Sequence, residues 1–111
     1  MRLSAARRRC TKLVRLALHI NHLTALPDEV GACEALQALS VFSNRLTALP
    51  PALGRCTALR ELGLFDNALA SVPAELGALT SLVELWLFKN QLRSLPAELS
   101  NMRSLRCSGL E

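Results

Sequence analysis

The chain has 111 residues, half of them apolar, with three Phe, one Trp and no Tyr. That length fits one domain with a mostly aliphatic core, and no run approaches the roughly 18 consecutive apolar residues of a membrane span. The net charge of +4 is local. Arg2, Arg7, Arg8, Arg9, Lys12 and Arg15 all precede the first acid, Asp28, and from residue 16 onward seven bases face nine acids, so a nucleic-acid or anionic-membrane contact would rest on that one cluster.

Residues 1–9 form the first segment. It lacks the apolar middle of a secretory signal. An Arg-rich, acid-free start suits a transit peptide, but the repeat register described next begins almost at once and favours a basic, degenerate half repeat or cap. In that register Leu3 matches Leu26, Ser4 matches Pro27 and Arg7 matches the apolar Val30, Leu53 and Leu76. Ser4 is placed to N-cap a helical turn over residues 5–9.

From residue 10 to 111 the chain repeats with a step of 23 residues. Asparagine recurs at Asn21, Asn44, Asn67 and Asn90, proline at Pro27, Pro50, Pro73 and Pro96, and leucine at Leu13, Leu36, Leu59, Leu82 and Leu105. A fixed period of this size means one supersecondary unit copied along the chain. Within a unit, Leu62 and Leu64 alternate with Glu61, Gly63 and Phe65, the period-2 pattern of a strand with one buried face. Strands from successive copies run the same way and form a parallel sheet stepping about 4.8 Å. Each proline fixes φ ahead of a short helical or 3-10 turn, and Gly31, Gly54 and Gly77 are expected to allow a tight bend after it. Strand on one arc and turn on the other give a curved stack of about four full repeats plus a truncated fifth strand.

Written LxxLxLxxNxLxxLPxxLGxxxx, the unit resembles the leucine-rich repeat family in its 23-residue intracellular form. The LPxxLG version is similar to that of the plant intracellular Ras-group-related leucine-rich repeat proteins and their animal scaffold relatives. The resemblance implies an α/β right-handed horseshoe solenoid, with a parallel sheet on the concave face and short turns on the convex one. It also implies a cytoplasmic protein-binding scaffold in signal transduction, with small GTPases or phosphatases among the partner classes.

Position by position, the asparagines read as a structural ladder, since a buried amide must satisfy two donors and an acceptor and can do so on the backbone of its loop and of the next coil. Cys10, Cys33 and Cys56 share one column, which Leu79 and Met102 continue. They read as small core hydrophobes, and no CxxC or Cys/His spacing points to a metal. With no Asn-x-Ser/Thr sequon either, the chain suits a reducing setting. At the far end Ser108 is expected to replace a buried leucine and Cys107 to share the exposed column of Glu84. That leaves a weak, uncapped edge through which copies could associate.

The outward strand positions form four columns: Arg15, Ala38, Glu61, Glu84; Ala17, Ser40, Gly63, Trp86; His19, Phe42, Phe65, Phe88; and Ile20, Ser43, Asp66, Lys89. The aromatic column and Trp86 are the candidate partner site, because contiguous exposed aromatics mark interfaces. Phe42, Phe65 and Phe88 are open to a second reading, as supports of the loop. Small residues beside Trp86 suggest a shelf and a recess. Glu61 and Glu84 should lie about 5 Å apart; with Asp66 and Lys89 they complete a charged binding patch. A carboxylate pair can cleave glycosides, but a shallow sheet face offers no enclosed pocket. No nucleophile, phosphate loop, cofactor motif or metal cluster appears, so the chain reads as a non-enzymatic protein-protein interaction module. The competing readings are a targeting fragment of a larger kinase or ubiquitin ligase, and nucleic-acid or membrane contact through Arg7–Arg9.

Overall fold

The computed structural model describes residues 12–18, 21–101 and 106–108. The basic segment 1–9, Cys10, His19 and Ile20 lie outside these. Five three-residue strands alternate with 3-10 turns: β1 (Arg15–Ala17), β2 (Ala38–Ser40), β3 (Glu61–Gly63), β4 (Glu84–Trp86) and β5 (Arg106–Ser108), with turns at Asp28–Ala32, Pro51–Arg55, Ala74–Ala78 and Ala97–Asn101 between them. The strands form one parallel sheet in chain order. This is the expected solenoid, sheet along one side and turns along the other.

The prolines start the turns as their fixed φ requires. Pro27, Pro50 and Pro73 each sit at φ −71° in extended backbone, directly before a turn. No side chain caps these turns; each is instead closed by the backbone amide of Cys33, Cys56 or Leu79 donating to Val30, Leu53 or Leu76 at 3.1 Å.

The core is a set of leucine columns running through the coils. Leu39, Leu62 and Leu85 fill the strand column, Leu36, Leu59 and Leu82 the position before it, and Leu53 and Leu76 the turns, all essentially inaccessible to water. No coil could bury these alone, because each covers its neighbour. Leu13, Leu23, Leu92 and Leu95, in the first and last described coils, are only partly buried, as nearest-neighbour shielding requires.

The asparagines supply the polar half of the stack. Asn44 Nδ2 donates to the carbonyls of Val41 (2.8 Å) in its own coil and Leu18 (2.9 Å) in the preceding one. Asn67 Nδ2 likewise reaches Leu64 (2.9 Å) and Val41 (3.1 Å), and Asn90 Nδ2 reaches Leu87 and Leu64 (both 2.9 Å). Their Oδ1 atoms accept the amides of Leu23, Leu46 and Leu69 at 3.2, 3.0 and 3.0 Å. The coil reached is the preceding one, not the next. An amide on the backward-facing side of its loop meets the loop already laid down.

Two expectations are corrected. The repeat glycines do not serve a bend alone. A Cβ on Gly54 would stand 2.5 Å from the carbonyl oxygen of Glu75, and one on Gly31 would stand 2.6 Å from that of Ala52. Glycine is there because the next turn nests against its Cα. The other correction is the register of β5. Arg106, Cys107 and Ser108 pair with Glu84, Leu85 and Trp86, a step of 22 residues where the earlier strands step 23. Cys107 therefore takes the register position of the core leucine, and Ser108 that of Trp86. The last turn still begins 23 residues after its predecessor.

Candidate protein-binding surface

The strands place their odd positions on the face away from the core, and the in-step register makes each of these a column. Arg15, Ala38, Glu61 and Glu84 are neighbours in turn, as are Ala17, Ser40, Gly63 and Trp86. Beyond them stand the phenylalanines. Phe42 and Phe65 are stacked with ring centroids 4.5 Å apart and planes 9° apart, and Phe65 and Phe88 with centroids 4.6 Å apart at the same angle. All three are half-buried. Both faces of Phe65 are thus spent on its neighbours, and what the ladder offers outward is ring edges, the electropositive rim of the aromatic quadrupole. His19, expected at the head of this column, lies outside the described residues.

Trp86 is half-buried. Gly63 beside it is buried, and a Cβ there would lie 3.7 Å from Trp86 Cε3 and 3.8 Å from Ser40 Oγ. The indole covers the gap that the small residues leave, so the expected recess is not at Gly63. A recess of about 330 Å³ opens instead at the start of the strands, lined by Arg15, Gln37, Ala38, Arg60, Glu61, Val83 and Glu84. Its floor is closed by paired amides: Gln37 and Ala38 both donate to Val14 O, Arg60 and Glu61 to Gln37 O, and Val83 and Glu84 to Arg60 O. Glu61 and Glu84, paired across adjacent strands as their shared column requires, line it together with Arg15 and Arg60.

The fourth column holds a feature that sequence reasoning missed. Ser43, Asp66 and Lys89 adopt positive φ of 56°, 58° and 58°, the left-handed conformation that costs a non-glycine residue roughly 1–2 kcal/mol. It turns the chain out of the strand, and amides in this bend bond across coils: Ser43 N to Phe65 O at 3.1 Å and Asp66 N to Phe88 O at 3.0 Å. Ser43 Oγ donates to Asp66 Oδ2 at 2.9 Å, so Asp66 is part of a side-chain pair and Lys89 stands exposed at the end of the row. Only Asp among these residues hints at left-handed backbone. The stronger signal was the neighbouring asparagine loop.

The turn side carries a hollow of about 720 Å³ lined by Asp28, Glu29, Gly31, Ala32, Glu34 and Arg55. Cys33 and Cys56 are both buried in the core. Cys56 Sγ donates to Val30 O at 3.2 Å, and desolvation by burial raises its pKa from 9.0 to about 11, which disfavours the reactive thiolate. Among the described residues no cluster of His, Cys, Asp and Glu could hold a metal ion, and no helix is long and apolar enough to cross a membrane.

A short-turned parallel solenoid with an asparagine ladder defines a class, the leucine-rich repeat proteins. The leucine rich repeat family matches residues 11–69, and the chain belongs to it. No curated protein matches the sequence. Among solved structures, a leucine-rich repeat protein of Leptospira interrogans is 40% identical at a TM-score of 0.91, covering 98% of this chain. Internalin C2 of Listeria monocytogenes is 27% identical at 0.75, covering 88%. An internalin (InlF) from the same species, 19% identical at 0.79 over 92% of this chain, shares the fold. The chain spans 28%, 42% and 29% of those three proteins. Members of this family are generally non-enzymatic modules for binding other proteins.

Proposed function

We propose that this chain binds a partner protein or peptide on its concave face and acts as a scaffold in intracellular signalling. The observation that carries the reading is the aromatic wall: Trp86 and the Phe42–Phe65–Phe88 ladder stand half-exposed on the side of the sheet that the core does not use. Rigid aromatics give contact area at low entropic cost and concentrate at hot spots. Glu61, Glu84, Asp66 and Lys89 border the wall and supply charge for orientation rather than affinity. The buried thiol of Cys56 suits a reducing cytoplasm. The resemblance of the 23-residue unit to plant intracellular Ras-group-related proteins supports small GTPases or phosphatases as the partner class.

The experiment is a quantitative pull-down comparing wild type with Trp86→Ala. Trp86 is the better probe because Phe65→Ala would also break the ladder. Proteins held through the concave face are reduced roughly tenfold or more by loss of a hot-spot aromatic, while folding, read by circular dichroism, is kept. If Trp86→Ala and a charge reversal, Glu61→Lys, both leave every captured protein unchanged, the concave face is not the site.

A further inference from the structure

The hollow at the start of the strands is charged in a fixed order. One of its columns runs Arg15, Ala38, Glu61, Glu84, each beside the next on adjacent strands, and all four line the hollow. One end is cationic and the other anionic, with a methyl group between. Among the described residues, Arg15, Arg60, Glu61 and Glu84 make no side-chain hydrogen bond or ion pair, so their charges are open to an outside partner.

The backbone beneath is not open. Val14 O accepts the amides of Gln37 (2.7 Å) and Ala38 (3.2 Å), Gln37 O those of Arg60 (2.8 Å) and Glu61 (3.1 Å), and Arg60 O those of Val83 (2.8 Å) and Glu84 (3.0 Å). Both lone pairs of each carbonyl are thus used. An occupant over this floor finds no main-chain partner in it and is read through its side chains. The hollow is also narrow, two residues of each coil in width, or about 7 Å. An α-helix with its side chains needs about 10–12 Å, whereas an extended chain fits. Neighbouring strands stand about 4.8 Å apart, so Arg15 lies about 12 Å from the midpoint between Glu61 and Glu84. In an extended chain residues i and i+4 share a face about 13 Å apart, with i+2 between them.

We infer that the hollow takes an extended peptide with an acid at i and a lysine or arginine at i+4. The acid sits on Arg15, the base between Glu61 and Glu84, and a small residue at i+2 over Ala38. The inference rests on the concave-face reading above and names the partner chemistry within it. Arg60 flanks the base from the neighbouring column and disfavours a segment with bases alone.

The test uses two peptides of one composition, N-acetylated and tethered through their C-termini, with the full chain as analyte. Glu-Thr-Ala-Thr-Lys has its charges four apart, and Glu-Lys-Ala-Thr-Thr has them adjacent. In low salt the spaced peptide should bind roughly fivefold tighter, the worth of one well-formed exposed charge pair, and the margin should vanish in molar salt. Arg15→Glu, its folding checked by circular dichroism, should transfer the preference to Lys-Thr-Ala-Thr-Lys. The inference fails if wild type binds the two peptides alike, or binds neither, or if Arg15→Glu leaves the order of the peptides unchanged. Trp86 does not line the hollow, so Trp86→Ala should keep the preference. A pull-down weakened by Trp86→Ala, together with equal binding of the two peptides, would keep the concave wall as the site and overturn the charge spacing.

Discussion

Replacing Asn67 by leucine removes the centre of the polar ladder, and the cost can be worked from its bonds. Asn67 Nδ2 donates to Leu64 O, Val41 O and, more weakly, Phe65 O at 3.3 Å; its Oδ1 accepts Leu46 N. The carbonyls have second partners. Val41 O also receives Asn44 Nδ2, Leu64 O receives Asn90 Nδ2, and Phe65 O receives Ser43 N. Leu46 N has Asn67 alone. The expected loss is therefore dominated by one stranded buried amide, about 1–3 kcal/mol, and leucine's extra burial does not offset it because the site is walled by backbone oxygens. At roughly 4–8 °C per kcal/mol for a domain of this size, Asn67→Leu should melt well below wild type. Urea denaturation should show a lower midpoint at unchanged slope. Asn67→Asp keeps an acceptor for Leu46 N but turns a carboxylate toward three carbonyls, so it should also be destabilised. An unchanged midpoint for Asn67→Leu would refute the ladder as a source of stability.

Three further outcomes follow from the geometry. Gly54→Ala should destabilise by roughly 1–3 kcal/mol, within the range for overpacking, because its Cβ would press on the Glu75 carbonyl, whereas Gly63→Ala meets only ordinary contacts and should be neutral or stabilising by about 0.4–1 kcal/mol; paired urea curves check both. Cys56 has its folded pKa raised above the unfolded value, to about 11. Its contribution is therefore complete below pH 9 and lost as pH rises from there to about 11; Cys56→Val should flatten that alkaline fall in stability. Native alkylation should spare Cys56 until the coils separate, and rapid labelling at neutral pH would contradict its burial.

Much of the stack was legible because each position repeats. Leu62 is buried for the same reason as Leu39 and Leu85, so one pattern determines every coil, and the asparagine column announces a backbone-bonding role by its spacing. What stayed hidden depends on contacts between coils that no single unit encodes. Gly54 reads as a bend until the Glu75 carbonyl is seen against its Cα. The gap at Gly63 reads as a recess until Trp86 lies across it. Ser43, Asp66 and Lys89 share a backbone conformation but no side-chain type, so beyond the single Asp the left-handed column left no compositional trace. At β5 the leucine period pointed to a 23-residue step, whereas the strand pairs at 22.

The central claim is that the concave wall is the working surface of this solenoid. Site-specific photo-crosslinking tests it most directly, with a benzophenone side chain in place of Trp86 on the sheet and, separately, in place of Glu75 on the turns, using the proteins captured by wild type. Adducts forming at position 86 and not at position 75, and suppressed by excess unlabelled wild type, are the expected result. Adducts confined to position 75 would move the function to the convex side and contradict the account.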